Sequence, residues 1–147
     1  MQPLANVYRI STETSEMDIH FIHRFLSNSY WAKSIPFETV QKAVEGSMPF
    51  GVFKGDEQVG FARVITDGAT FAYLADVFID EAYRGLGLSK FLMEVIMAHP
   101  RLQDLRRFVL ITRDAHGLYE QFGFTPISNP ELWMQVHRPD VYEKKIL

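Results

Sequence analysis

No cysteine occurs among the 147 residues, and that single absence removes several chemistries at once. The chain has no disulfide to staple it, no thiolate nucleophile and no sulfur ligand for zinc. Charge of either sign is not in excess, since 15 basic and 18 acidic side chains give a formal net charge of −3. Nucleic acid or an anionic membrane surface requires a basic footprint, so neither is an expected partner. No apolar run approaches the roughly 18 residues of a membrane span, and the N-terminus lacks a secretory signal pattern. A cytoplasmic location is the expectation from these features. The chain also lacks G-x-G-x-x-G and G-x-x-x-x-G-K-[ST], the two common glycine-rich nucleotide loops. Internal repeats and low-complexity segments are absent as well.

What is present is apolar material. Hydrophobic residues make up 47% and aromatics 14%, enough for one domain over residues 1–147 to bury a core. The chain is organised around residues 72–98. Residues 72–79 form an apolar run of strand-formers interrupted only by Asp76. After a polar turn comes Arg84-Gly85-Leu86-Gly87-Leu88-Ser89, and from Leu88 the period becomes helical, with Leu88, Leu92, Val95 and Ile96 on one face. A helix start reached through glycines offers unpaired N–H groups and a positive dipole end, which suits a phosphate. A plain strand-to-helix turn would show the same local pattern.

Around this centre the other elements follow in order. Residues 7–10 suit a short strand, and Ser15-x-x-Asp18 opens a helix with Ile19, Ile22, Phe25 and Leu26 on its apolar face. His20, His23 and Arg24 fall on a solvated side. No third ligand accompanies the two histidines, so no metal is expected. Residues 29–36 break this helix and residues 36–45 form a second, stopped at Gly46. Strands at 50–53 and 59–65 flank the turn Lys54-Gly55-Asp56-Glu57, and a second turn at 66–69 leads into the central strand. Beyond Pro100, residues 107–111 (RFVLI) read as a buried parallel neighbour. Asp114 is the expected N-cap of a helix over 115–122, with Leu118 and Phe122 on its packing face and Tyr119 pointing elsewhere. Strands are expected at 124–127 and 132–137, and residues 140–147 form either a frayed tail or an oligomer contact, which leaves a homodimer open.

Two motifs now stand out. Arg84-x-x-Gly87-x-Ser89 matches R/Q-x-x-G-x-G/A except for Ser89, and resembles the pyrophosphate loop of the GNAT superfamily of N-acetyltransferases. Ala115-x-x-Leu118-Tyr119-Glu120-x-Phe122-Gly123-Phe124 resembles that family's A-x-x-L-Y-x-x-x-G-F segment. The element order β-α-α-β-β-β-α-β-α-β-β is similar to the GNAT fold over nearly the whole chain. This resemblance implies an α+β fold with a mixed, mostly antiparallel sheet of six to seven strands, about four helices, and a V-shaped slot between the fourth and fifth strands. It also implies acetyl-coenzyme A as cosubstrate, no metal, and a small-molecule or peptide amine as acceptor. By the same resemblance, Val77, Phe78 and Ile79 line the pantetheine, while Arg84, Gly85, Leu86, Gly87, Leu88, Ser89 and Lys90 hold the pyrophosphate. Thr112 replaces an asparagine that in many relatives helps hold the cofactor, and Tyr119 stands where many relatives protonate the departing thiolate. A non-catalytic module that only binds or senses acyl-coenzyme A is the rival reading.

The residues themselves bear on this chemistry. Transfer from a thioester to an amine needs a neutral amine and a proton for the sulfur. A lysine-like amine with pKa about 10.4 is roughly three units from neutral pH, a penalty of about 4 kcal/mol. Asp76 and Tyr119 are the catalytic candidates. Asp76, the ionisable group in the central apolar run, is a base, an anchor for a cationic substrate, or a structural acceptor of N–H groups. Tyr119, a phenol with pKa near 10, keeps its proton at pH 7 and can donate it to sulfur. His116, three residues earlier, is expected on an exposed first turn. Tyr30, Trp31, Phe71 and Tyr73 are either core aromatics or the walls of a pocket for a cationic amine with an apolar body.

Overall fold

A computed structural model describes residues 3–143. Strands β1 (Tyr8–Ser11), β2 (Met48–Lys54), β3 (Glu57–Thr66), β4 (Phe71–Ile79) and β5 (Arg107–Leu110) form one sheet in sequence order. The first four pair antiparallel and β5 runs parallel to β4. Four α-helices accompany them: α1 (Ile19–Leu26), α2 (Phe37–Glu45), α3 (Leu88–Ala98) and α4 (His116–Glu120). The architecture is the expected α+β GNAT fold, carried by five strands rather than six or seven.

Each face of the sheet has its own core. Leu88, Leu92, Met93 and Ile96 of α3 pack with Ala72, Leu74 and Ile79 of β4 on one side. On the other, Phe21, Ile22 and Leu26 of α1 and Val40 and Val44 of α2 pack with Phe53, Phe61 and Phe78. Asp18 caps α1, its carboxylate accepting from the Phe21 N–H at 3.0 Å, and Gly46 follows the last residue of α2. The β2–β3 turn closes through Gly55 at φ +60°, a left-handed conformation that glycine adopts freely.

The feature that shapes the site is a bulge in β4. Phe61 pairs with Phe78 and Arg63 with Ala75, so Ala62 faces two residues, Asp76 and Val77. Asp76 takes φ +55°, and aspartate is among the few types other than glycine that reach this region readily. The extra residue reverses the alternation of side chains. Ala72 and Leu74 face α3, and after the bulge Val77 and Ile79 do so, while Phe78 turns to α1. Pairing with β5 ends at Leu74 opposite Leu110, yet β4 continues to Ile79. Its last five residues, about 17 Å of strand, therefore keep β3 on one side and have no strand on the β5 side, and the sheet is split there.

Several expectations are corrected. Residues 124–127 and 132–137 are not strands. Pro126 deprives the first of a ladder donor, and the second has no strand paired with it among the described residues. Strand β5 stops at Leu110 and leaves Ile111 exposed. The last helix is shorter than 115–122 and Asp114 does not cap it; the Thr112 hydroxyl instead accepts from the Ala115 N–H at 3.1 Å. Tyr119 is buried, whereas Leu118 and Phe122 are half-buried, so α4 presents a different face from the one expected. His20 and His23 are not a purely solvated pair, since both rings rest on Phe37 and the His23 Nε2 bonds the Ile35 carbonyl at 3.0 Å. Of the tail, Tyr142 packs on the α1–α2 core; residues 144–147 lie outside the described residues.

Candidate active site

The glycine loop opens at the split. Gly85 and Gly87 have φ +79° and +84°, and Gly87 is the cap of α3. A Cβ at Gly85 would meet nothing within 4 Å, and one at Gly87 only Leu4 Cδ1 at 3.7 Å. These glycines therefore serve backbone conformation and leave the space above the loop open. The first helical bond runs from the Phe91 N–H to the Gly87 carbonyl, so the N–H groups of Leu88, Ser89 and Lys90 have no partner from the helix. The buried Leu88 side chain anchors the turn, while Leu86 and Lys90 are exposed. Arg84 Nε donates to the Ile79 carbonyl at 3.1 Å, stitching the loop to the end of β4. Phe78 stacks on Phe25 at 3.8 Å, so its side chain belongs to the core and only its backbone is left for a ligand.

Across the split stands α4. The buried Tyr119 ring meets Phe124 edge-on at 6.1 Å. Burial pushes its phenol above the ordinary range, and Tyr30 and Asp114 add to the effect. No described residue hydrogen-bonds its hydroxyl, and no buried polar atom among the described residues is left without a partner, so this oxygen is open to solvent.

The connection between α1 and α2 bridges the two sides. The Ser29 hydroxyl donates to the Leu26 carbonyl and accepts from the Ala32 N–H, a turn that projects Tyr30 and Trp31. Trp31 Nε1 donates to Asp76 Oδ1 at 2.8 Å. The Tyr30 ring lies under the Arg113 guanidinium at 3.7 Å. Asp76 Oδ2 accepts from Arg63 Nε at 2.6 Å, and Arg63 also donates to the Ser47 hydroxyl at 3.0 Å. Tyr73 is half-buried; burial and then Asp76 raise its phenol, with Arg63 acting against them. Tyr30, Trp31, Tyr73, Asp76 and Tyr119 are thus brought together around the split. Phe71 is not, because it lies five residues before Asp76, about 17 Å along the strand.

Arg63 and Arg113 were missed by reading the sequence. A hairpin centred on the 66–69 turn would set Arg63 opposite Ala72; the observed register, centred on Ala69, pairs it with Ala75 and so brings it to Asp76. Nothing local marks Arg113. A cleft of about 700 Å³ continues from Phe25, Tyr30 and Trp31 toward Asp80 at the end of β4, and also carries Asp18, Asp56 and Glu57 with Arg24 as counter-charge.

The sheet thus splits beyond Leu74, and a helix opened by glycines begins beside the split. The sequence model of the Acetyltransferase (GNAT) family matches residues 8–124. A Gibberella zeae protein assigned to the acetyltransferases, FG08082, is 30% identical over 135 residues, covering 76% of this chain and 75% of that protein. The solved structure of a Xanthomonas campestris pv. campestris protein assigned to the GNAT family has a TM-score of 0.91 at 52% identity, covering 93% of this chain and 97% of that one. A Clostridium acetobutylicum acetyltransferase structure containing acetyl-coenzyme A shares the fold at a TM-score of 0.62 and 12% identity, over 88% of this chain and 94% of that one. The chain belongs to the GNAT family of acetyltransferases, enzymes that act on small-molecule or peptide acceptors. No helix among the described residues is long and apolar enough to cross a membrane. Nor do the described residues include three or more His, Cys, Asp or Glu grouped so that they could hold a metal ion.

Proposed function

We propose that the protein transfers the acetyl group of acetyl-coenzyme A to the amine of a cationic acceptor, with Tyr119 as the proton donor to the departing sulfur. The observation that supports this reading is the unpartnered hydroxyl of buried Tyr119, on the helix that follows β5, together with the stretch of β4 that β5 leaves unpaired. The cosubstrate fits what the chain offers there, namely unpartnered N–H groups at the start of α3 and open space above Gly85 and Gly87. When bound, acetyl-coenzyme A supplies the activated acetyl group. Backbone N–H groups from Gly85 to Lys90 hold its pyrophosphate, and the β4 backbone at Val77, Phe78 and Ile79 lines its pantetheine as a strand would. Arg84 positions that loop through the Ile79 carbonyl, and Thr112 closes the far wall at the end of β5.

Asp76 holds the geometry in this scheme. Both of its oxygens already accept, one from Arg63 and one from Trp31, and its left-handed backbone makes the bulge that parts the strands. It therefore seats Trp31 at the mouth of the slot, and the acceptor sheds its proton to solvent. Trp31, Tyr30 and Tyr73 wall the acceptor. The adjoining cleft supports a cationic acceptor because four carboxylates there outnumber one arginine.

The test is release of free thiol from acetyl-coenzyme A across a panel of amines of differing charge. Amine-dependent release, greatest for cationic amines, is the expected result. Cofactor binding without release for any amine would make the chain a binder rather than a catalyst.

A further inference from the structure

The aromatic wall already carries a cation of its own chain. Tyr30, in the connection between α1 and α2, is 54% exposed and meets the Trp31 ring edge-on at 5.1 Å. Over its face lies the Arg113 guanidinium at 3.7 Å, supplied by the connection between β5 and α4. Arg113 is exposed, and neither ion pair among the described residues, Arg9–Glu16 or Arg63–Asp76, includes it. The Tyr30 ring is thus its electrostatic partner. One exposed ring face holds a cation weakly, by roughly two- to fivefold in an equilibrium constant. Another cation can therefore take its place.

Tyr30 also stands near the groups assigned to the reaction. Burial first, and then Tyr30, raise the Tyr119 phenol, and the neighbouring Trp31 donates to Asp76 at 2.8 Å. An ammonium arriving at this wall meets a ring face already taken and a guanidinium that repels it. Exchanging one cation for the other leaves the charge beside the ring unchanged. Adding a second cation next to Arg113 costs Coulomb energy.

Building on the acceptor as a cationic amine, the reading given above, we propose that Arg113 is a specificity-determining residue that stands in for the acceptor's charge. Its guanidinium holds the Tyr30 face until a cationic acceptor displaces it. Every cationic acceptor then competes with the chain itself. An uncharged amine gains little from the ring face and leaves the guanidinium where it is.

Nuclear magnetic resonance of the full chain reads this exchange without acetyl-coenzyme A. The Arg113 side-chain N–H signal, assigned by its loss in Arg113→Gln, should carry the ring-current shift of a stacked guanidinium. Benzylamine, cationic at neutral pH, should abolish that shift, and benzyl alcohol should not. In thiol release, Arg113→Gln should lower the KM for benzylamine roughly two- to fivefold, with the change falling on KM rather than kcat. The KM for aniline, uncharged at neutral pH, should stay as it is. Arg113→Lys should return the benzylamine KM toward wild type, and Tyr30→Leu, at an exposed position, should remove the effect of Arg113→Gln. A ring-current shift that persists at every benzylamine concentration would overturn the proposal, whether or not benzylamine is acetylated. So would a benzylamine KM that rises in Arg113→Gln, which would make the guanidinium a prop for the wall, or a KM that falls equally for aniline. Displacement of Arg113 by benzylamine without thiol release from any amine would support the exchange and refute the catalytic reading instead.

Discussion

Replacing Tyr119 with phenylalanine removes one oxygen and keeps the ring that packs against Phe124. Because that hydroxyl has no described hydrogen-bond partner, the variant should fold with a stability change under about 1 kcal/mol. The kinetic effect can be bounded. General acid catalysis spans about 10²–10⁴-fold. A thiol has a pKa near 8.5, below that of a phenol near 10, and burial raises Tyr119 further. Full transfer of its proton to the sulfur is therefore uphill by at least about 2 kcal/mol. The hydroxyl then acts mainly through a hydrogen bond to developing charge, worth about 1.5–3 kcal/mol, or roughly 10–150-fold. We expect kcat to fall by about 10²-fold, the low end of the range, with coenzyme A affinity unchanged. The pH profile follows in sign. An acid works while protonated, so wild-type kcat should persist below the raised phenol pKa and fall as pH climbs through it. Tyr119→Phe should lack that fall. Single-turnover rates, which isolate chemistry from product release, make the assay. A variant with wild-type single-turnover rates would refute the role of Tyr119.

Gly87→Glu should abolish coenzyme A binding in calorimetry, and its left-handed φ of +84° should cost about 1–2 kcal/mol of stability; undiminished affinity in the folded variant would move the pyrophosphate away from this loop. Asp76→Asn keeps a residue that tolerates φ +55° but strips Arg63 of its counter-charge. With those side chains 18% and 9% exposed, stability should fall by about 1–3 kcal/mol. The acid limb of the kcat profile should not change, and its disappearance would make Asp76 the general base. Trp31→Ala should raise the acceptor KM roughly 5- to 30-fold through loss of about 1–2 kcal/mol of aromatic contact, and an unchanged KM would put the acceptor elsewhere.

The sequence alone determined what short-range rules control. The change from strand to helical period at Leu88, the glycines at 85 and 87 and the turn at Gly55 each depend on a few neighbouring residues, and each is present in the fold; the helix start read at Ser15-x-x-Asp18 falls at Asp18, which is itself the cap. The two motifs extended this to the family. Tertiary structure decided everything that depends on partners far along the chain. Asp76 could be read as base, anchor or structural acceptor because its two partners lie 13 and 45 residues away, one set by hairpin register and the other by a turn between helices. Tyr119 faces inward because α4 is short and docks by a face that its periodicity over so few residues does not specify. Residues 132–137 show the same limit from the other side. Their alternation was legible, but a strand exists only by pairing, and among the described residues no strand pairs with them.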